Sequence, residues 1–199
     1  MQIDRTEVGF TGLVSVGRFA FFIYLSDTGF HMDEQQLAEQ AIHFPVIVIQ
    51  DDKLKQREEI VTLIKHIRKD KPNIEIIISS DGIQRPVAIS GIDNIDYHVY
   101  LQLKNSGLEY KDRIKEKVIN WYVTAGAKFI FKITNKDDVD EMDVLIMELG
   151  INKSQVYLYP SIDSDFCLKI AKQCGYNIAP DFRLLFNKQK QEGDEINGN

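Results

Sequence analysis

The sequence predicts an α/β fold: a single domain forming a partial, open βα barrel around a mainly parallel sheet of six or seven strands. Three observations predict it. Short apolar runs alternate with stretches of helical periodicity along most of the chain. The runs are apolar at successive positions, as in parallel sheets covered on both faces. The units are too few for a closed eight-stranded barrel, and right-handed crossovers would wind an open sheet one way.

Each element has its own signal. FAFFIYL (19–25) reads as a buried strand. Residues 33–44 are helical, with Leu37, Ala38 and Ala41 on one side. PVIVIQ (45–50) is a second strand. Helix 56–69 places Ile60, Ile64 and Ile67 on one face. IEIIISS (74–80) is a third strand, rich in β-branched residues. Segment 81–97 has no helical pattern, so one connection is irregular. HVYLQL (98–103) is a fourth strand. Residues 111–126 predict one helix with Ile114, Val118, Trp121, Tyr122 and Ala125 inward and Gly126 as its stop.

KFIFKIT (128–134) is a fifth strand. Thr134 or Asn135 caps the next helix, whose first turn holds Asp137 and Asp138, where the helix dipole favours negative charge. Met142, Leu145, Ile146 and Leu149 form its inner face, and Gly150 ends it. VYLYP (156–160) is a sixth strand. A helix beginning near 163 turns Phe166, Cys167, Ile170, Ala171 and Cys174 inward and ends at Gly175. FRLLF (182–186) is a last short strand. The domain is expected to span 1–187. Residues 188–199 carry no apolar pattern and are expected to be a disordered tail.

Composition narrows the function. The 199 residues suit one domain with a substantial core. Hydrophobic content of 44% and charged content of 27% fit a soluble globular chain. A net charge of −6 argues against a nucleic-acid partner. No apolar run has the length to span a bilayer, so no membrane association is expected. The start, MQIDRTEVGF, lacks the pattern of a secretory signal, and two cysteines fit a reducing compartment. The expected location is cytoplasmic.

Residues 99–134 read VYLQLKNSGLEYKDRIKEKVINWYVTAGAKFIFKIT. With the helix and VYLYP that follow, this stretch resembles the second half of 7-carboxy-7-deazaguanine synthases, a family of the radical S-adenosylmethionine (SAM) superfamily. The resemblance extends over about residues 4–188 and implies a partial βα barrel and a homodimer. Gly17 and Arg18 stand where the family has a glycine–arginine pair before its first strand. The family then has a C-x3-C-x2-C loop followed by Asp-Thr. Here Ser26-Asp27-Thr28 follows the strand at once, so the loop is missing and Ser26 stands at its last cysteine.

The other motifs diverge similarly. The family's Gly-Gly-Glu-Pro, which receives the amino acid end of SAM, corresponds to Gln50-Asp51-Asp52-Lys53. Its Glu-Thr-Asn-Gly corresponds to Ser79-Ser80-Asp81-Gly82, keeping only the glycine. Its Ser-Pro-Lys corresponds to Tyr100-Leu101-Gln102, although Asn105-Ser106-Gly107 survives. Pro-Glu-Gly becomes Pro160-Ser161-Ile162, and the arginine of Ser-Pro-Arg-Leu-His becomes Asp181. The framework residues match, and those implied to hold ligand do not.

The family's iron–sulfur cluster needs thiolate ligands. This chain has two cysteines, Cys167 and Cys174, on one face of a predicted helix, where they read as core residues. No iron–sulfur cluster and no SAM binding are expected. Ligands of such folds sit beyond the C-terminal strand ends. The remnant cleft there comprises Ser26, Asp27, Asp51, Asp52, Ser79, Asp81, Asn105, Ser106 and Ser161, with Lys104, Thr134 and Asp163 nearby. Several of its aspartates could converge on a divalent cation; the alternative is that Asp51, Asp52, Asp163 and Asp165 are turn residues or helix caps. Of the four histidines, His31 could approach the rim. His43 and His66 sit on helices, and His98 starts a strand at the opposite end; none has metal-ligand spacing. No catalytic residue is assigned.

The expected function is a non-catalytic radical-SAM-like protein that binds a protein partner or a small molecule. Exposed aromatic surface at the old cleft would favour a protein partner. Two alternatives stand: an enzyme with replaced chemistry at the Asp-rich rim using a divalent cation, and a regulatory subunit in 7-deazaguanine biosynthesis.

Overall fold

The computed structural model describes residues 1–11, 18–26, 29–50, 57–85, 94–160 and 164–179. Nine strands join in one sheet: β1 (Gln2–Thr11), β2 (Arg18–Leu25), β3 (Phe30–His31), β4 (Val46–Gln50), β5 (Glu75–Ser80), β6 (Ile95–Leu101), β7 (Lys128–Ile133), β8 (Val156–Pro160) and β9 (Asn177–Ile178). Their order is β3-β1-β2-β4-β5-β6-β7-β8-β9. From β2 to β9 all neighbours are parallel, which gives seven parallel strands: six that the alternating pattern predicts, and the short β9. On the other side, β1 pairs antiparallel with β2 and with β3. The sheet is open, since edge strands β3 and β9 do not pair with each other.

Six helices are described: α1 (Glu34–Ala41), α2 (Arg57–Asp70), α3 (Tyr110–Arg113), α4 (Glu116–Thr124), α5 (Lys136–Glu148) and α6 (Ser164–Cys174). The longer ones all pack on one face of the sheet. Leu37, Ala38 and Ala41 of α1 and Ile60, Leu63, Ile64 and Ile67 of α2 join Ile47, Ile49, Ile76 and Ile78 in one cluster. Ile119 and Tyr122 of α4, Val139, Met142, Leu145 and Ile146 of α5, and Cys167 and Ala171 of α6 join Val99, Leu101, Phe129, Phe131 and Leu158 in another. Each fully buried Ile, Leu or Phe contributes roughly 2 kcal/mol, so these faces outweigh intrinsic propensity in fixing the helices.

Caps set the ends of several helices. The Asp33 carboxylate accepts the Gln35 and Gln36 N–H groups at 2.9 and 3.3 Å. Asn135, not Thr134, caps α5, in a reciprocal capping box with Asp138. Gly126, Gly150 and Gly175 follow α4, α5 and α6 at positive φ, where a side chain would be strained.

Several expectations need correction. Residues 111–126 are not one helix. The chain is extended at Ile114 (φ −119°, ψ 114°), and this break separates α3 from α4. It lets Arg113 and Ile114 be buried together. The restart shifts the phase, so Ile119 is buried and Ala125 is exposed. The fourth strand begins at Ile95 and ends at Leu101, rather than running from 98 to 103. The first helix ends at Ala41. The antiparallel edge, β1 and β3, and the short β9 extend the sheet beyond the sequence pattern. The strand expected at 182–186 and the tail from 188 lie outside the described residues. No described helix is long and apolar enough to cross a membrane.

Candidate functional site

Strand register identifies the side chains on the face opposite the helices. One continuous row crosses six strands: Arg5, Tyr24, Gln50, Ser79, His98 and Lys128. Another joins Glu7, Phe22, Val48, Ile77 and Asp96. Nearer the C-terminal ends of the later strands lie Tyr100, Ile130 and Tyr157, then Lys132 and Tyr159. The small apolar cluster on this face, Ala20, Val46, Val48 and Ile77 with Phe22, contains strand residues only. The expectation of strands apolar on both faces therefore holds for β4 and the middle of β5. It fails for β6, β7 and β8, whose second face is largely polar.

The row is closed electrostatically at both ends. The Arg5 guanidinium sits 4.0 Å from the Tyr24 ring centroid, and the Tyr24 hydroxyl donates to the Glu7 carboxylate. At the other end Lys128 Nζ lies 3.5 Å from Asp96 Oδ2. In the middle, His98 is only 3% exposed, and its Nε2 has no hydrogen-bond partner among the described residues. Burial, with the Lys128 ammonium nearby, pushes its pKa from 6.5 down to about 3. His98 is therefore a neutral imidazole at physiological pH. It is the fourth residue of β6, not the start of a strand. Burial and the Asp96 carboxylate raise the Tyr157 pKa.

At the C-terminal strand ends, the described residues of the expected cleft are mostly engaged in the framework. Ser26 donates its N–H to the Gln2 carbonyl at 3.3 Å, tying β2 to β1. Asp81 Oδ1 accepts the Ile83 N–H at 3.0 Å, an Asx turn of the kind turn chemistry predicts. Asn105 Nδ2 donates to the Lys132 carbonyl at 3.3 Å, and Ser106 Oγ donates to the Leu103 carbonyl at 2.6 Å. The surviving Asn105-Ser106-Gly107 is thus a tight turn, with Gly107 at φ +76°. Thr134 gives both its N–H and its hydroxyl to the buried Asp138 carboxylate. Ser79 alone among the described cleft residues joins the central row, and it is buried. Asp27, Asp51, Asp52, Ser161 and Asp163 lie outside the described residues.

Two buried polar features escaped sequence reading. Arg113, 1% exposed, donates to Glu141 Oε1 at 2.6 Å and to the Gln102 carbonyl at 2.9 Å. Glu141 Oε2 also accepts the Lys104 N–H at 2.8 Å. This knot joins α3, α5 and the end of β6. The hydroxyls of Ser80 and Tyr122 share a buried hydrogen bond of 2.8 Å beneath the same edge. Arg113 sits in a charged helical stretch and carried no signal of burial. For His98 a signal existed, since Asp96, His98 and Tyr100 alternate with Tyr97, Val99 and Leu101.

Among the described residues no three His, Cys, Asp or Glu side chains gather to hold a metal ion. Cys167 is fully buried in the helix-side core, its Sγ 3.9 Å from the Ile133 carbonyl, and Cys174 is half-buried.

No family model matches the chain. No curated protein matches it either. Among solved structures, it is similar to Streptococcus suis SuiB bound to S-adenosylmethionine, with a TM-score of 0.47 and 14% identity over 73% of this chain and 40% of SuiB. A second SuiB crystal structure gives the same TM-score and identity, over 73% of this chain and 41% of that one. The chain thus spans less than half the length of SuiB.

Proposed function

We propose that this protein is a non-catalytic relative of the radical SAM enzymes, derived from a 7-carboxy-7-deazaguanine synthase-like ancestor, and that it acts by binding. The sequence resemblance supplies the ancestry. The observation that supports the loss of catalysis is the engagement of the described cleft residues. Asp81, Asn105, Ser106 and Thr134 all spend side-chain polar atoms on turns and caps. These contacts hold the framework.

The iron–sulfur cluster implied by the resemblance does not fit these residues. It needs three thiolates at the end of the first parallel strand. The chain offers two cysteines, both on α6, one of them sealed in the core behind the sheet. SAM lacks the glycine pair and the proline that the family offers it, as Gln50-Asp51 and Lys53 stand in their place, while Asp52 stands at the glutamate.

The binding role suits a protein partner, with a second copy of the chain as the first candidate and an intact synthase-like enzyme as the second. The latter would make the protein a regulatory subunit of 7-deazaguanine synthesis. Calorimetric titration with SAM tests the reading from the ligand side. The expected result is no heat beyond dilution. Saturable binding at micromolar affinity would overturn the loss of the site.

A further inference from the structure

We draw no further inference here: the strongest candidate, the polar row on the sheet face opposite the helices, centred on the buried His98 whose Nε2 has no partner among the described residues, belongs to the site already described, and nothing in the structure shows what ligand would meet that nitrogen.

Discussion

Replacing His98 with glutamine removes the one buried imidazole of the polar row and should flatten the acid limb of stability. The folded-state pKa is about 3 and the ordinary value 6.5. Between these values the unfolded chain holds a proton on His98 that the folded chain does not. Stability therefore falls as pH drops below 6.5, at up to about 1.4 kcal/mol per pH unit from this residue. The loss is complete once pH passes below the folded value. At pH 5 the penalty is about 2 kcal/mol, a large part of the 5–15 kcal/mol typical of a domain. The assay is urea unfolding followed by circular dichroism at half-unit steps from pH 7.5 to 4.5, with wild type and His98→Gln side by side. Carboxylates contribute to both curves alike, so the difference between them isolates His98. The curves should converge toward acid as wild type loses its advantage or gains a deficit. Parallel curves over the whole range would refute the reasoning, because they would mean that His98 titrates normally in the folded protein.

Three further outcomes follow from the buried polar contacts. Glu141→Ala leaves the Arg113 guanidinium buried without its carboxylate and should destabilise by about 3 kcal/mol in the same assay. Tyr122→Phe removes one of two partners of the buried Ser80 hydroxyl, whose oxygen also accepts the Gly82 N–H, and should cost about 1–2 kcal/mol. Gly82→Ala should cost about 2 kcal/mol or more, since Gly82 has φ +75° and an added Cβ would come within 2.8 Å of a Val99 methyl.

The helix side of the sheet was legible because its signal is redundant. Apolar periodicity and the glycines after α4, α5 and α6 all agree there, as Leu37, Ala38 and Ala41 illustrate. The break at Ile114 was hidden because a buried Arg113–Glu141 pair is a long-range fact, made by residues 28 apart. A local reading sees only a charged helical stretch. The strand β1 was missed for a related reason. Asp4, Arg5 and Glu7 interrupt its apolar residues, and the register slips between Ile3 and Arg5. The aspartates of the expected cleft follow from their position after the predicted strands, which says nothing of what each side chain bonds. Where the structure describes one, Asp81, it closes a turn.

The central claim is that the ancestral cofactor site is gone, and anaerobic reconstitution with iron and sulfide tests it most directly. After desalting, iron analysis and the ultraviolet–visible spectrum are read, and SAM is added with a reductant. The account predicts substoichiometric iron, no absorbance band of a bound cluster and no cleavage of SAM. A stoichiometric cluster that cleaves SAM would contradict it.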